Sequence, residues 1–133
     1  MSKTLVIKSI PENLRQVEKF VDEISEEFKL SDEIYGNLLI ATLEGTNNAI
    51  IHGNSGDPDK DVNISCSLEN KQIILVITDK GKGFDYNSIP DPTAPENLEK
   101  INGRGVFLMT RLSDSIEFSK NGSEVKITFN TEI

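Results

Sequence analysis

At 133 residues, 36% hydrophobic and 27% charged, the chain has the size and composition of one compact globular domain and not those of a disordered or membrane-spanning segment. Its 22 acidic residues outnumber 14 basic ones for a formal net charge of −8, a balance that disfavours nucleic acid or an anionic membrane as the main partner. A single cysteine, Cys66, and a single histidine, His52, exclude an internal disulfide and any metal site built from clustered cysteine or histidine.

The opening residues, Met-Ser-Lys-Thr-Leu-Val-Ile-Lys, hold too short an apolar stretch for a secretory signal, so a cytoplasmic location is expected. Residues 4–10 are β-branched and apolar and predict an edge strand, stopped by Pro11. Ser9 with Glu12 resembles a capping box, and Leu14, Val17, Val21, Ile24 and Phe28 recur at spacings of three and four, which predicts a first helix. Ser31, followed by Asp32 and Glu33, caps a second helix that ends near Gly53. Residues 54–59, Asn-Ser-Gly-Asp-Pro-Asp, have the composition of a loop.

From Val62 the period changes to two, with Val62, Ile64, Cys66 and Leu68 on one face and Asn63, Ser65, Ser67 and Glu69 on the other. Cys66 then reads as core filling. Glu69-Asn-Lys-Gln turns the chain into a nearly continuous apolar strand at 73–78, and Asp79 ends it. Between 85 and 102 there is little periodicity, and Pro90, Pro92 and Pro95 sit among polar residues; so long a loop in a small domain predicts a lid. Gly103-Arg-Gly-Val-Phe-Leu-Met-Thr-Arg-Leu112 opens a third helix behind two glycines, with Leu108, Met109 and Leu112 as core. Residues 115–119 and 124–129 form a hairpin in which Asn121-Gly122 favours a tight reversed turn.

Within this frame the second helix carries an unusual stripe. Glu44, Asn48 and His52 fall at i, i+4 and i+8, with Leu39, Leu43, Thr46 and Ile50 opposite and Ile40, Ala41 and Ile51 flanking. An acid and a carboxamide in apolar surroundings predict a cleft wall, although an amphipathic helix with an ordinary wet face has the same pattern. Asn48 offers a neutral oxygen to a hard cation, and Glu44 can take a proton from a nucleophile. Asp79 can accept from an exocyclic amine, glycines 81 and 83 admit a flat base, and a glycine-preceded helix start with Arg104 presents positive charge to an anion. His52 reads as a helix-end residue satisfying a carbonyl. Neither a P-loop nor a His-Arg-Asp catalytic loop is present.

In this order, the segments Glu44-Gly-Thr-Asn-Asn48-Ala-Ile-Ile-His-Gly, Asp79-Lys-Gly-Lys-Gly-Phe84 and Asp91-Pro-Thr-Ala-Pro-Glu-Asn-Leu98 leading to Gly103-Arg-Gly-Val-Phe-Leu-Met resemble the nucleotide boxes of the gyrase, chaperone, histidine-kinase and mismatch-repair ATPase superfamily. Within it the chain is most similar to the anti-sigma-factor serine/threonine kinases of bacterial partner-switching systems. The resemblance implies a two-layer α+β sandwich of the Bergerat ATP-binding type, a mixed, mostly antiparallel sheet covered on one face by about three helices. It implies a single ATP-binding domain over 1–133 with a lid at about 84–103.

By the same resemblance Asn48 holds Mg²⁺, Glu44 is the catalytic base, Asp79 fixes the adenine amine, and Gly81 and Gly83 shape the base pocket. The amides of Gly103, Arg104, Gly105, Val106 and Phe107, with the Arg104 side chain, cradle the phosphates of ATP. Implied partners are a sigma factor, an anti-anti-sigma protein of the STAS type as phosphorylation substrate, and a second copy in a homodimer, with no direct contact to nucleic acid or membrane. The family often has Gly-Thr where this chain has Gly122-Ser123, so a nucleotide role is not carried over there. Two other readings stand beside this one: a non-catalytic module that uses ATP and ADP to set a protein-binding surface, and the ATP-binding half of a histidine kinase.

Overall fold

The computed structural model describes residues 1–81 and 101–131, with residues 101–104 and 121 described as backbone alone. Among the described residues, five strands, β1 (Ser2–Lys8), β2 (Asp61–Glu69), β3 (Gln72–Thr78), β4 (Ser115–Ser119) and β5 (Glu124–Asn130), form one sheet in the order β1-β2-β3-β5-β4. All four pairings are antiparallel. Three helices, α1 (Leu14–Phe28), α2 (Asp32–Asn48) and α3 (Ile101–Leu112), bury the other half of the core, with α2 packed against both α1 and α3. The expected two-layer sandwich is what forms, but among the described residues its sheet is wholly antiparallel rather than mixed. The lid expected at about 84–103 lies almost entirely outside the described residues, as do Gly83 and Phe84.

Alternation decides which sheet face meets the helices. In register, Leu5 faces Ile64 and Ile64 faces Ile77, while Cys66 faces Leu75 and Leu75 faces Ile127. From Ile64 onward these side chains are all buried, and they share one cluster with Val17, Phe20, Val21, Ile24 and Phe28 of α1 and Leu38, Ala41 and Ile50 of the α2 segment. Burial pushes the Cys66 thiol up to about 12, as befits core filling. Strand β1 is an edge, as expected, and begins two residues earlier than the pattern suggests. Its Lys3 points toward the helix layer and pairs with Glu27 of α1 at 2.9 Å, an inward charge that guards an open edge.

The chain breaks run mostly as the residue types dictate. Ser31 caps α2 by accepting from Ile34 N at 3.3 Å. Asn70 and Lys71, both at positive φ, make a two-residue reversal that pairs Glu69 with Gln72. Three expectations are corrected. Ser9 and Glu12 form no capping box: Ser9 Oγ donates instead to Lys60 O at 2.7 Å, and Pro11–Asn13 is a 3₁₀ turn before α1. The last hairpin does not turn tightly at Asn121-Gly122. A 3₁₀ turn at Lys120–Gly122 joins Ser119 to Glu124, with positive φ at Lys120 and Gly122. Finally, α3 contains Gly103 and Gly105 rather than starting behind them. Among the described residues no helix is long and apolar enough to cross a membrane.

Leu75 is 1% exposed at the centre of this core. Leu75→Ala is therefore expected to destabilise the fold by about 2–5 kcal/mol, read as a lowered denaturant midpoint at unchanged slope.

Candidate functional site

Helix α2 does not end as an α-helix. Its last turn, Ala49–Gly53, is a π-helix closed by Asn54 N donating to Ala49 O at 2.8 Å. One wider turn re-aims the chain, so that Gly53 and Asn54 lie against the end of β3, a use of π turns common at functional sites. The cavity opens at this junction. It has a volume of about 90 Å³ and is walled by Asn48, Ala49, His52 and Gly53 from the helix, Ile77 and Asp79 from β3 and its end, and Val106 and Met109 from α3. Phe118, Gly122, Ser123 and Val125 of the last hairpin close the far side.

Asp79 stands at the base. Ser123 O accepts from its amide at 2.9 Å, and its own Oδ1 accepts from Gly81 N at 2.8 Å. A side chain at Gly53 would collide with this carboxylate, and one at Gly81 would collide with the Gly53 carbonyl, so helix end and strand end touch as bare backbone. On the opposite wall, a Cβ at Gly105 would stand 2.6 Å from Asn48 Nδ2. That contact explains the second glycine of the Gly-x-Gly motif inside a helix: it lets α3 lie against the carboxamide.

The expected site residues therefore divide. Asn48, Asp79 and Val106 line the cavity, with Gly81 and Gly105 directly behind the first two. Glu44 lies one turn before Asn48, half-buried, and is not among the described residues of the wall. Phe107 is half-buried with the Arg111 guanidinium 5.9 Å from its ring centroid and is likewise off the wall. Gly83 lies outside the described residues, and for Gly103 and Arg104 only the helical backbone is described. With Ile101 in the helix, α3 commits the amides of Gly105, Val106 and Phe107 to carbonyls one turn earlier.

The apolar flanks expected for the polar stripe are not those observed. Ile40 and Ile51 are 44% and 43% exposed; the cavity takes its apolar wall from Ala49, Ile77, Val106 and Met109 instead. His52 lines the cavity, and its Nε2 is buried without a hydrogen-bond partner among the described residues. Among the described residues no helix-end carbonyl takes it, which corrects the expectation from its position. Among the described residues no group of three or more His, Cys, Asp or Glu is placed to hold a metal. The residue that sequence reasoning missed is Asn54: a loop asparagine by composition, it is 1% exposed and bonded on both sides of its amide. No signal in a Gly/Asp/Pro-rich stretch distinguishes a buried asparagine from a solvated one.

An antiparallel sheet with helices on one face, and a cleft between the polar stripe of one helix and an acid at the end of a central strand, is the architecture of a nucleotide-binding ATPase domain. The chain belongs to the histidine kinase-like ATPase domain family, whose model matches residues 7–129. It is 30% identical over 95 residues to the serine-protein kinase RsbW of Oceanobacillus iheyensis, covering 67% of this chain and 60% of that one. It is 39% identical over 84 residues to the anti-sigma F factor of Bacillus cytotoxicus, covering 60% of this chain and 56% of that one. The matched stretch thus spans somewhat over half the length of these relatives. Among solved structures, the histidine kinase domain of the Erythrobacter litoralis EL346 blue-light activated histidine kinase shares the fold, with a TM-score of 0.58 at 18% identity over 94% of this chain and 62% of that one.

Burial raises the Asp79 carboxyl above its ordinary value of 3.8, opposed by the Gly81 amide and by the charge of Lys60. A raised folded-state pKa favours the neutral acid, so this group's contribution to stability is full below the unfolded value and is lost as pH rises through the folded one. Asp79→Asn keeps an acceptor for Gly81 N and carries no charge. It is expected to melt a few degrees above the parent at pH 7, with the gap closing toward pH 4, in thermal scans across that range.

Proposed function

We propose that this chain is an ATP-dependent serine/threonine protein kinase that also acts as an anti-sigma factor, binding a sigma factor and phosphorylating an anti-anti-sigma protein of the STAS type. It works as one ATP-binding domain in the cytoplasm, paired in a homodimer, without direct contact to nucleic acid or membrane. The observation that carries the reading is the half-buried Asp79, fixed by backbone on both sides at the base of an apolar cavity. Membership of the ATPase family and the names of the relatives support it.

The donor set fits an adenine nucleotide. Asp79 offers a fixed acceptor to an exocyclic amine, bare backbone at Gly53 and Gly81 lets a flat base approach, and His52 Nε2, without a partner among the described residues, can meet a polar atom of the ligand. Asn48, on the wall beside α3, would hold Mg²⁺ together with the phosphates. When bound, the ion neutralises charge on the triphosphate. Gly103 and Arg104, near the start of α3, meet the phosphates, while Gly105 and Val106 shape the wall and Phe107 supports α3 from behind. In transfer, the serine oxygen of the substrate bonds to the γ-phosphorus, the bond to the bridging oxygen breaks, ADP leaves, and the hydroxyl proton passes to Glu44.

One observation favours a second reading, a non-catalytic module switched by ATP and ADP: Glu44 is not among the described residues of the cavity wall. Incubation with labelled ATP, Mg²⁺ and candidate anti-anti-sigma proteins separates the two. For the kinase, Glu44→Ala is expected to cut transfer by about 10²–10⁴-fold while calorimetric affinity for ATP holds within about twofold. Tight binding with no transfer to any such substrate supports the module. No heat from either ADP or ATP at millimolar Mg²⁺ overturns both.

A further inference from the structure

We infer that Asn54 is a positioning residue for base recognition, a clamp that sets where the Asp79 carboxylate points; the inference rests on the proposal that the cavity binds an adenine nucleotide. Asn54 Oδ1 accepts from the amide of Lys80, the residue directly after Asp79, at 2.7 Å. Its Nδ2 donates to Ser9 Oγ at 2.7 Å and to Asp61 O at 3.0 Å, and Ser9 Oγ donates onward to Lys60 O at 2.7 Å. The backbone of Asn54 is equally committed, its N–H to Ala49 O and its carbonyl to Asp57 N. At 1% exposure the amide therefore has a partner for each polar atom and no room to rotate.

The geometry explains why this matters to Asp79 in particular. The hairpin holds the residue from in front, through Ser123 O to Asp79 N, and Asn54 holds it from behind, through Lys80 N. Between those two anchors the only large freedom left is the side chain, and Gly81 N fixes that. Releasing Lys80 N lets the peptide after Asp79 tilt and carries both Gly81 N and the carboxylate with it. A carboxylate displaced by a fraction of an ångström still fills the pocket and still meets the rest of the nucleotide. What it loses is the hydrogen bond to the exocyclic amine.

A structural residue and a positioning residue differ in what they do to ligands that differ only at that amine. Purine riboside triphosphate has a hydrogen where ATP has the amine and is otherwise the same. The measurement is the ratio of purine riboside triphosphate to ATP dissociation constants by calorimetry at millimolar Mg²⁺, below the melting temperature of each variant. In Asn54→Ala the ratio is expected to fall about threefold to tenfold, the worth of weakening one hydrogen bond, almost wholly through weaker ATP binding. Ser9→Ala unties the far end of the clamp, threatens folding less, and should lower the ratio by about twofold to threefold. An unchanged ratio in Ser9→Ala and in any folded Asn54→Ala protein, whatever the loss in melting temperature, overturns the inference. Parallel weakening of both nucleotides overturns it too. Failure of the parent protein to bind ATP overturns the inference along with the functional proposal, and so is distinguishable from a parent that discriminates and an Asn54 variant that discriminates equally well.

Discussion

The site depends on one close approach, backbone against backbone, between the end of α2 and the residues that leave β3. Neither Gly53 nor Gly81 has room for a Cβ, because each faces the other's segment. A π turn brings the helix end to that meeting, and the amide of Asn54 secures it. Without this approach the polar residues of α2 and the acid at the end of β3 would belong to two separate surfaces. With it they form the two walls of a single cavity.

Electrostatics at the junction work against the fold. A half-buried carboxylate costs stability, and the Gly81 amide and Lys60 offset only part of that cost. The contrast with Cys66 is instructive, since burial raises that thiol as well, but a neutral thiol in an apolar cluster leaves no charge to solvate. Acids perturbed by burial cluster at functional sites, and this one sits in the wall of the cavity. On the same cavity wall, His52 Nε2 is buried without a hydrogen-bond partner among the described residues.

Much of the fold was legible because local and tertiary demands agree. Spacings of three and four placed α1 at its observed core, alternation from Val62 to Leu68 set the inward face of β2, and Ser31 capped α2 where expected. Legibility failed where a distant partner outbid a local one. Ser9 has the sequence context of a cap and bonds Lys60 across the fold instead. Asn121-Gly122 advertises a two-residue turn, but pairing Ser119 with Glu124 leaves four residues to close and hands the positive φ to Lys120. At the site, Asn48 and Asp79 were readable as chemistry. Their setting was not: a π turn has nearly the pattern of an α turn over five residues, Gly105 serves packing rather than helix initiation, and Asn54 hides in loop composition.

Strand order carries a consequence for how the cavity comes into being. Because β5 inserts between β3 and β4, the partner of the Asp79 amide and the far wall of the cleft come from residues 118–125, more than thirty positions downstream of the acid. During synthesis the chain therefore carries its recognisable nucleotide motifs for some time before it has anywhere to put a nucleotide. A nascent or clipped chain lacking that hairpin would leave the Asp79 amide without its Ser123 partner and the cleft without its far wall.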